Sequence, residues 1–195
     1  METDGGGWTV IQRRTGDPFV DFFRNWDEYK EGFGDLQYDH WLGNKYLHVM
    51  SLTGQCLGAN DLRIELERQD NGQKLFAKYD HWSVNSEYHK YQLSIGGYSG
   101  NAGDSLRPHN DMFFTTYDRD NDRHPKMNCA YTNTKGGFWY NACTPANLNG
   151  RIIPRGDGNL GNIPEPMMFG FWLKSSEMKI RRKKDANLCF GSYHD

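Results

Sequence analysis

Residues 118–122 read Asp118-Arg119-Asp120-Asn121-Asp122, and two cysteines, Cys129 and Cys143, follow a short way downstream. The run places carboxylates at every second position, which lets them converge from one face of an irregular loop. Carboxylates and backbone carbonyls are the oxygen donors that Ca²⁺ prefers. An EF-hand is excluded because its glycine and its distal bidentate glutamate are absent. From the residues alone, the run is either a site for a hard cation or a solvated acidic turn.

The composition around this run indicates one loop-rich domain. The 195 residues suffice for a single domain with a substantial core. The 22 glycines and 7 prolines argue against a helical bundle, and aromatic residues at 14% must supply much of the core. The net charge of −2 gives no support to a nucleic-acid or membrane-surface partner. No apolar run is long enough to predict a membrane span.

The cysteines and the start of the chain bear on where the protein works. The four cysteines are too widely spaced for a Cys-x-x-Cys zinc site, and they suit two disulfides in an oxidising compartment. No signal-peptide pattern opens the chain, so we interpret its start as that of an excised domain. We therefore expect a secreted, extracellular protein.

Local patterns predict two helices and several strands. Asn25 is a suitable N-cap and Gly32 a suitable end for a first short helix. A second helix is predicted from Asp39 to Leu52, with an apolar face formed by Trp41, Leu42, Tyr46 and Val49. The predicted strands and turn are Asp61–Leu66, a tight hairpin turn at Asn71-Gly72, Leu75–Val84, Tyr91–Ile95, and a late strand containing Met178 and Ile180.

The segment from Gly96 to Pro166 differs because it has little periodicity and is dense in Gly, Asn, Asp and Pro. Loops of this length in compact domains are functional or disordered. The aromatic run Phe138–Tyr140 and the nearby cysteines indicate order, and we expect exposed aromatic side chains here. The predicted fold is α+β: a central antiparallel sheet with short helices and a loop-rich functional region.

Several blocks of the chain, in one order from Met1 to about Arg182, resemble the fibrinogen C-terminal (fibrinogen-like) domain family, which includes ficolins and tachylectins. Many independent motifs in one order make the resemblance specific. The blocks are Met1–Arg14, Phe22–Trp26, Gly32–Asp35, Trp41–Asn44, Tyr98–Ser105, Asn128–Ala130, Gly137–Tyr140, Asn147–Gly150 and Ser176–Lys179.

The resemblance implies a single domain over residues 1–195 with three subdomains. They are an N-terminal subdomain (about 1–35), a central sheet (about 36–95 plus 170–182) and a loop-rich calcium- and ligand-binding subdomain (about 96–169), followed by a tail (183–195). The family's first disulfide lies upstream of Gly5-Gly6-Gly7-Trp8, and its cysteines are missing here, so we expect a truncated N-terminal subdomain.

The resemblance also implies a calcium site. The carboxylates of Asp120 and Asp122 would bind Ca²⁺ together with backbone carbonyls near His124 and Lys126, while Asp118 would orient the loop. The His124 side chain is not expected to be a ligand because imidazole suits Zn²⁺ or Cu²⁺ better than an oxygen-loving cation.

Two disulfides are expected. The resemblance pairs Cys129 with Cys143. Cys56 and Cys189 lie outside the common family pattern, and we predict that they pair with each other, because free thiols are uncommon in secreted proteins.

The ligand pocket departs from that of the acetyl-binding members. In those members, a cis peptide at the position of Ala142-Cys143 turns the Cys143 N–H towards an acetyl carbonyl. Thr144 stands where they carry His, Leu160 replaces an aromatic residue and Phe169 replaces a Tyr. These three side chains either line a methyl-sized slot or simply pack the subdomain. Arg155-Gly156-Asp157, an integrin-type tripeptide, is interpreted as a solvated turn because short motifs recur by chance.

Three functions remain open at this stage. The leading hypothesis is a calcium-stabilised lectin for acetylated or other glycan groups on microbial surfaces, in innate immunity. The alternative is a receptor- or matrix-protein-binding domain. An enzyme is not expected, since no nucleophile has a recognisable base beside it. We expect an oligomer in the full-length protein, since clustering strengthens weak binding sites.

Overall fold

The computed structural model describes residues 3–15, 20–53, 56–57, 60–143, 145–151 and 168–183. A seven-stranded antiparallel sheet of order β2-β3-β1-β11-β6-β7-β8 forms its centre, with two two-stranded sheets, β4-β5 and β9-β10. The strands are β1 (Thr9–Arg14), β2 (Phe33–Gly34), β3 (His40–Trp41), β4 (Leu52–Thr53), β5 (Cys56–Leu57), β6 (Asn60–Arg68), β7 (Lys74–Val84), β8 (Leu93–Gly100), β9 (Ala146–Asn147), β10 (Met168–Phe169) and β11 (Leu173–Arg182).

The helices are few and short, which confirms the predicted α+β class. Among the described helices, none combines the length and the apolar character needed to cross a membrane. The helices are α1 (Trp26–Glu31), α2 (Asn44–Ser51), three single turns of 3₁₀ helix (Thr3–Gly5, Glu87–His89 and Arg107–His109) and a π-helix (Ala130–Thr134).

Alternation along the long strands gives the sheet one apolar and one charged face. Ile64 of β6 faces Met178 of β11 in the ladder, and both side chains are buried in the core. On the other face, Lys179 of β11 is only 3% exposed, and its Nζ lies 3.0 Å from Glu65 Oε1. The charged face is thus neutralised by pairs between adjacent strands.

β1 connects the sheet to the loop-rich half of the molecule. Its Gln12 and Arg14 side chains are buried, and they donate to the carbonyls of Leu148 at 2.8 Å and Gly150 at 2.9 Å. The strand lies in the part of the chain that the resemblance assigns to an N-terminal subdomain. The subdomain boundaries stay a prediction.

The first helix begins as its sequence predicts. The Asn25 side chain accepts the Glu28 N–H at 2.8 Å, and the Glu28 side chain accepts the Asn25 N–H at 3.1 Å, which completes a capping box. Gly32 follows the helix at a φ of 95°, a conformation that favours glycine.

The prediction of a helix from Asp39 to Leu52 is wrong in its first half, because that part contains β3, which pairs with β1 and β2. The expected helical face is wrong as well. In α2, Leu47 is buried, whereas Tyr46 is 45% and Val49 63% exposed. Packing of α2 against β7 therefore decides which face is buried.

Two strand boundaries also differ from the prediction. The β6–β7 ladder ends at Glu67 and Lys74, so a longer loop replaces the two-residue turn predicted at Asn71-Gly72. β8 begins at Leu93, later than the predicted Tyr91, and it continues through the glycines that were interpreted as the start of the loop region. Pairing with β7 extends this glycine-rich strand despite its weak intrinsic propensity.

His109 lies in the core with none of its surface exposed. Its Nδ1 donates to the Trp139 carbonyl at 2.7 Å, which requires the proton on that nitrogen. Burial lowers the pKa of His109 to about 4, against an ordinary value of 6.5, although the hydrogen bond to Trp139 opposes the shift. The folded protein therefore holds this imidazole neutral.

We expect His109 to make stability depend on pH. Between pH 6.5 and 4 the unfolded chain binds a proton at this residue and the folded chain does not, so the contribution is complete above 6.5 and declines as the pH falls towards 4. The free energy of unfolding should drop by about 2 kcal/mol from about pH 7.5 to about pH 5 through this residue alone. Urea titrations should show a smaller drop for His109→Gln.

His89 is exposed and provides the control. The unfolding free energy of His89→Gln should fall with pH as much as that of the unchanged protein does. If His109→Gln does not fold, an NMR titration of the His109 ring in the unchanged protein replaces it. A His109 pKa close to 6.5 would contradict the prediction.

Candidate functional site

The loop-rich half is built on a buried aromatic run. Phe138, Trp139 and Tyr140 have no exposed surface, and the exposed aromatics that we expected in this half are instead Phe113 and Tyr131. Trp139 Nε1 donates to the Tyr91 carbonyl at 2.7 Å, and Tyr140 Oη accepts from Thr134 Oγ1 at 2.7 Å. Burial of three large rings with their polar atoms paired supplies much of the core of this half.

Tyr29 of α1 reaches across to the same run. Its hydroxyl donates to the Phe22 carbonyl at 2.7 Å and accepts the Gly137 N–H at 2.9 Å. The Tyr29 ring lies against Gly137 so closely that a Cβ built there would be 2.6 Å from the ring. Residue 137 must therefore lack a side chain.

A disulfide joins Cys129 and Cys143, with their Cα atoms 5.3 Å apart, as the resemblance implies. The Cys143 N–H lies 3.2 Å from Cys129 Sγ, and Cys143 has a φ of 41°. Next to the bridge, the Asn141 carbonyl accepts the Arg123 N–H at 2.9 Å. The bridge and this hydrogen bond tie the acidic loop to the segment before the second cysteine.

The first carboxylate of the acidic run forms a hydrogen bond to the first residue of α1. Asp118 Oδ1 accepts the backbone N–H of Trp26, the first residue of α1, at 2.9 Å and the Thr116 hydroxyl at 2.7 Å. The next side chain supports the same contact, because the Arg119 guanidinium lies 4.8 Å above the Trp26 ring. Asp118 thus connects the loop to the helix.

The other two carboxylates lie next to each other within the loop. Asp122 Oδ1 accepts the His124 N–H and Asp122 Oδ2 the Cys129 N–H, each at 2.7 Å. Asp120 Oδ1 accepts the Asp122 N–H at 3.3 Å. Partial burial raises the pKa of Asp122 and the Asp120 charge adds to the rise, although the two backbone hydrogen bonds oppose it. A bound cation would offset this repulsion.

The donors of the loop fit Ca²⁺ better than a transition metal. In the described part of the chain, no three His, Cys, Asp or Glu side chains converge to hold a metal ion. Any cation here would need backbone carbonyls or water beside Asp120 and Asp122, which is the oxygen shell that Ca²⁺ accepts. The His124 Nδ1 accepts the Lys126 N–H at 3.3 Å, so the turn itself uses this nitrogen.

Side-chain amides that the sequence analysis did not single out hold the loop in place. Asn121 Nδ2 donates to the Phe114 carbonyl at 2.9 Å, and Asn128 Nδ2 to the Thr116 carbonyl at 2.8 Å. The signal available in the sequence was the density of asparagine in a segment without periodicity, because such amides replace missing backbone partners.

The predicted ligand pocket is described only in part. Ala142 is exposed and Phe169 is fully buried, with its strand β10 paired to β9. Of Cys56 the structure describes the backbone in β5, but not the side chain. The remaining predicted positions lie outside the described residues: Thr144, Leu160, Cys189 and Arg155-Gly156-Asp157.

Comparison with known proteins identifies the domain. The family described as the C-terminal globular domain of fibrinogen beta and gamma chains matches residues 1–183. The chain belongs to this fibrinogen C-terminal domain family. The fibrinogen-like domain is 48% identical to fibroleukin of Bos taurus over 182 residues, which is 91% of this chain and 39% of the length of that protein.

Two solved structures share the fold. One is the fibrinogen-like globe domain of human ANGPTL2, with a TM-score of 0.80 and 41% identity, covering 92% of this chain and 82% of that chain. The other is a lamprey fibrin D-dimer in complex with the peptide Gly-His-Arg-Pro-amide. Its TM-score is 0.81 at 28% identity, and the match covers 98% of this chain and 66% of that chain.

We expect Gly137→Ala to disturb the junction between α1 and the loop-rich half. The added methyl group would collide with the Tyr29 ring, and relieving the collision should cost about 2 kcal/mol of unfolding free energy. Gly96→Ala is the matched control, because a Cβ there would meet its nearest neighbour at 4.0 Å. Chemical denaturation that gives both variants equal stability would contradict the assignment.

Proposed function

We propose that this fibrinogen-like domain is an extracellular recognition module that binds a protein or peptide partner through its loop-rich half, with the acidic loop held by Ca²⁺. The observation that carries the proposal is the family membership, with similarity to a fibrin structure in complex with a peptide. Similarity to fibroleukin and to the ANGPTL2 globe domain supports the same choice. The proposal replaces a glycan lectin of innate immunity as the leading hypothesis.

The construction of the loop supports a binding role. Recognition sites are commonly formed by loops on a rigid scaffold. Here the disulfide, the buried aromatic run and the amide hydrogen bonds hold the backbone, while Arg119, Asp120 and Lys126 are exposed. A surface of mixed charge on an ordered loop suits a polar partner and gives specificity by charge complementarity. The proposal is one of binding and not of catalysis.

The disulfide also supports the extracellular setting, since such bonds persist in oxidising compartments. Because the chain spans 39% of the length of fibroleukin, the activity of the whole protein belongs to the proposal as well. We propose that the whole protein is oligomeric, which would strengthen weak single contacts through multivalency.

In this proposal, Asp120 and Asp122 would provide carboxylate ligands to Ca²⁺, and the backbone carbonyls near His124 and Lys126 would provide two more. The ion would neutralise the paired carboxylates and hold the loop. Hydrogen bonds within the chain also hold the loop. Asp118 connects it to α1, and the Arg123 N–H connects it to the segment before the second cysteine.

Removing calcium should lower thermal stability, because an ion that binds only the folded state stabilises it by mass action. At ~100 times the dissociation constant, calcium should raise the melting temperature by about 5–10 °C. Asp120→Asn should abolish this rise in a calorimetric scan. Asp111→Asn is the control, because Asp111 is exposed and its left-handed backbone conformation tolerates asparagine.

Equal melting temperatures with calcium and with chelator would refute the calcium part of the proposal. The partner part has its own test. The domain, tetramerised artificially, is applied to an array of peptides and to an array of glycans that includes N-acetylated sugars. Binding to peptides that chelator weakens is expected, whereas binding confined to N-acetylated sugars would restore the lectin hypothesis.

A further inference from the structure

A second candidate site lies away from the acidic carboxylates, where the end of β1, the segment before α1 and the residue after the π-helix meet. It is a cavity of about 350 Å³. Two phenylalanines form apolar walls, and three cationic side chains and one carboxylate line the remainder. The lining residues are Arg14, Asp21, Phe22, Phe23, Lys135, Gly150 and Arg151.

The cation in the floor is buried and incompletely paired. The Arg14 side chain is 1% exposed, and its guanidinium lies 3.9 Å from the centre of the Phe22 ring. Nη1 donates to the Gly150 carbonyl at 2.9 Å, whereas Nε approaches Asp39 Oδ2 only to 3.6 Å and makes no hydrogen bond. Burial lowers the pKa of Arg14 to about 10 despite the nearby Asp39. The unpaired Nε faces Asp39 and not the cavity, so Arg14 contributes to the site through its buried positive charge, which attracts an anion.

The cation in the wall occupies a position that favours glycine. Lys135 ends the π-helix with a φ of 47° and a ψ of 44°, the left-handed conformation in which a side chain costs energy. Its ammonium lies 5.0 Å from the Phe23 ring and 4.6 Å from the Tyr131 ring, and it donates to the Tyr131 carbonyl at 2.6 Å. Lysine is thus kept in an unfavourable backbone position, with its charge held beside the aromatic wall.

The balance of charge at the cavity favours an anion. Arg151 at the rim is exposed and adds a third cation to Arg14 and Lys135. The opposing carboxylate on the wall is Asp21, which already accepts the Phe23 N–H at 2.9 Å. Asp39 offsets part of the Arg14 charge from below the floor, so a net positive charge remains.

We propose that this cavity binds the carboxylate of an acidic residue in a peptide, together with an apolar side chain next to it in that peptide. Guanidinium and ammonium groups bind a carboxylate through charge-assisted hydrogen bonds. The half-buried Phe23 ring offers an apolar surface for that side chain, whereas a free inorganic anion has no apolar group to contact it. The site rests on the proposed function only in that its ligand is a peptide, and it uses neither Asp120 nor Asp122.

The probes are a matched pair of capped dipeptides, acetyl-Phe-Glu-amide and acetyl-Phe-Gln-amide, which differ in one charge. Binding is measured by NMR titration of the calcium-loaded domain. We expect the glutamate peptide to bind and to shift the Lys135 and Arg151 signals. The glutamine peptide should bind about 5-fold more weakly, since one exposed charge pair contributes up to about 1 kcal/mol.

Variants that remove a cation and a variant that removes the carboxylate should change peptide affinity in opposite directions. Lys135→Gly removes a cation and suits the left-handed backbone, so it should remain folded while weakening binding about 3–5-fold. Arg151→Gln should have a similar effect. Asp21→Asn removes the opposing charge, keeps an oxygen for the Phe23 N–H, and should tighten binding about 3-fold. Lys74→Gln, an exposed change of equal charge on β7, should leave binding unchanged.

Three outcomes would overturn the assignment: equal binding of the two dipeptides, no response to Lys135→Gly and Asp21→Asn, or tighter binding of inorganic sulfate or glucosamine 6-sulfate at the same residues. The last outcome would indicate a site for free or glycan-borne oxyanions. Because Asp120→Asn tests the calcium loop separately, failure of one proposal can be distinguished from failure of the other.

Discussion

The side chain of Tyr29 lies where three parts of the molecule meet. Its hydroxyl donates to Phe22 and accepts from Gly137, and its ring is in edge contact with Phe33 and Trp41. Burial and these hydrogen bonds work together, because a buried hydroxyl without partners would cost free energy. Tyr29 therefore contacts the sheet edge, the first helix and the loop-rich half at once, and its hydroxyl both donates and accepts a hydrogen bond.

Beyond that junction, the loop-rich half is ordered with little regular secondary structure. Backbone groups that a helix or a ladder would satisfy are paired instead with side-chain amides. Asn121, Asn128 and Asn149 each donate to a backbone carbonyl, and Asn147 donates to the carbonyl of Thr134. Buried backbone groups must find partners, so the asparagines are the reason that an irregular chain can be rigid enough to present a binding surface.

Both candidate sites are formed by this ordered half, and they carry opposite charge. The acidic loop presents Asp120 and Asp122, whose mutual repulsion suits a cation. The cavity beside Lys135 presents cations that suit an anion. The π-helix connects them along the chain, because it starts directly after Cys129 of the disulfide and is followed directly by Lys135. Helices of this kind often occur at functional sites. One short rigid segment thus borders both proposed surfaces.

The sequence by itself determined the features whose causes are local or patterned. The first helix was predictable because Asn25 and Glu28 form their capping box within one turn, and the long strands because apolar residues alternate along them. The fibrinogen-like family was recognisable because its motifs recur in order. The acidic loop was identified as a candidate cation site, but which of its carboxylates bonds to α1 was not evident from the residues alone.

Where a residue had more than one available partner, only the tertiary structure decided its conformation and its contacts. Trp41 joined a strand because β1 offered it a ladder, so the second helix starts later than its apolar spacing predicts. Asp118 turned to α1, and the aromatic run was buried against Tyr91 and Tyr29. The cavity at Arg14 and Lys135 exists because residues far apart in sequence meet there. Such choices depend on distant groups, whose positions no local pattern encodes.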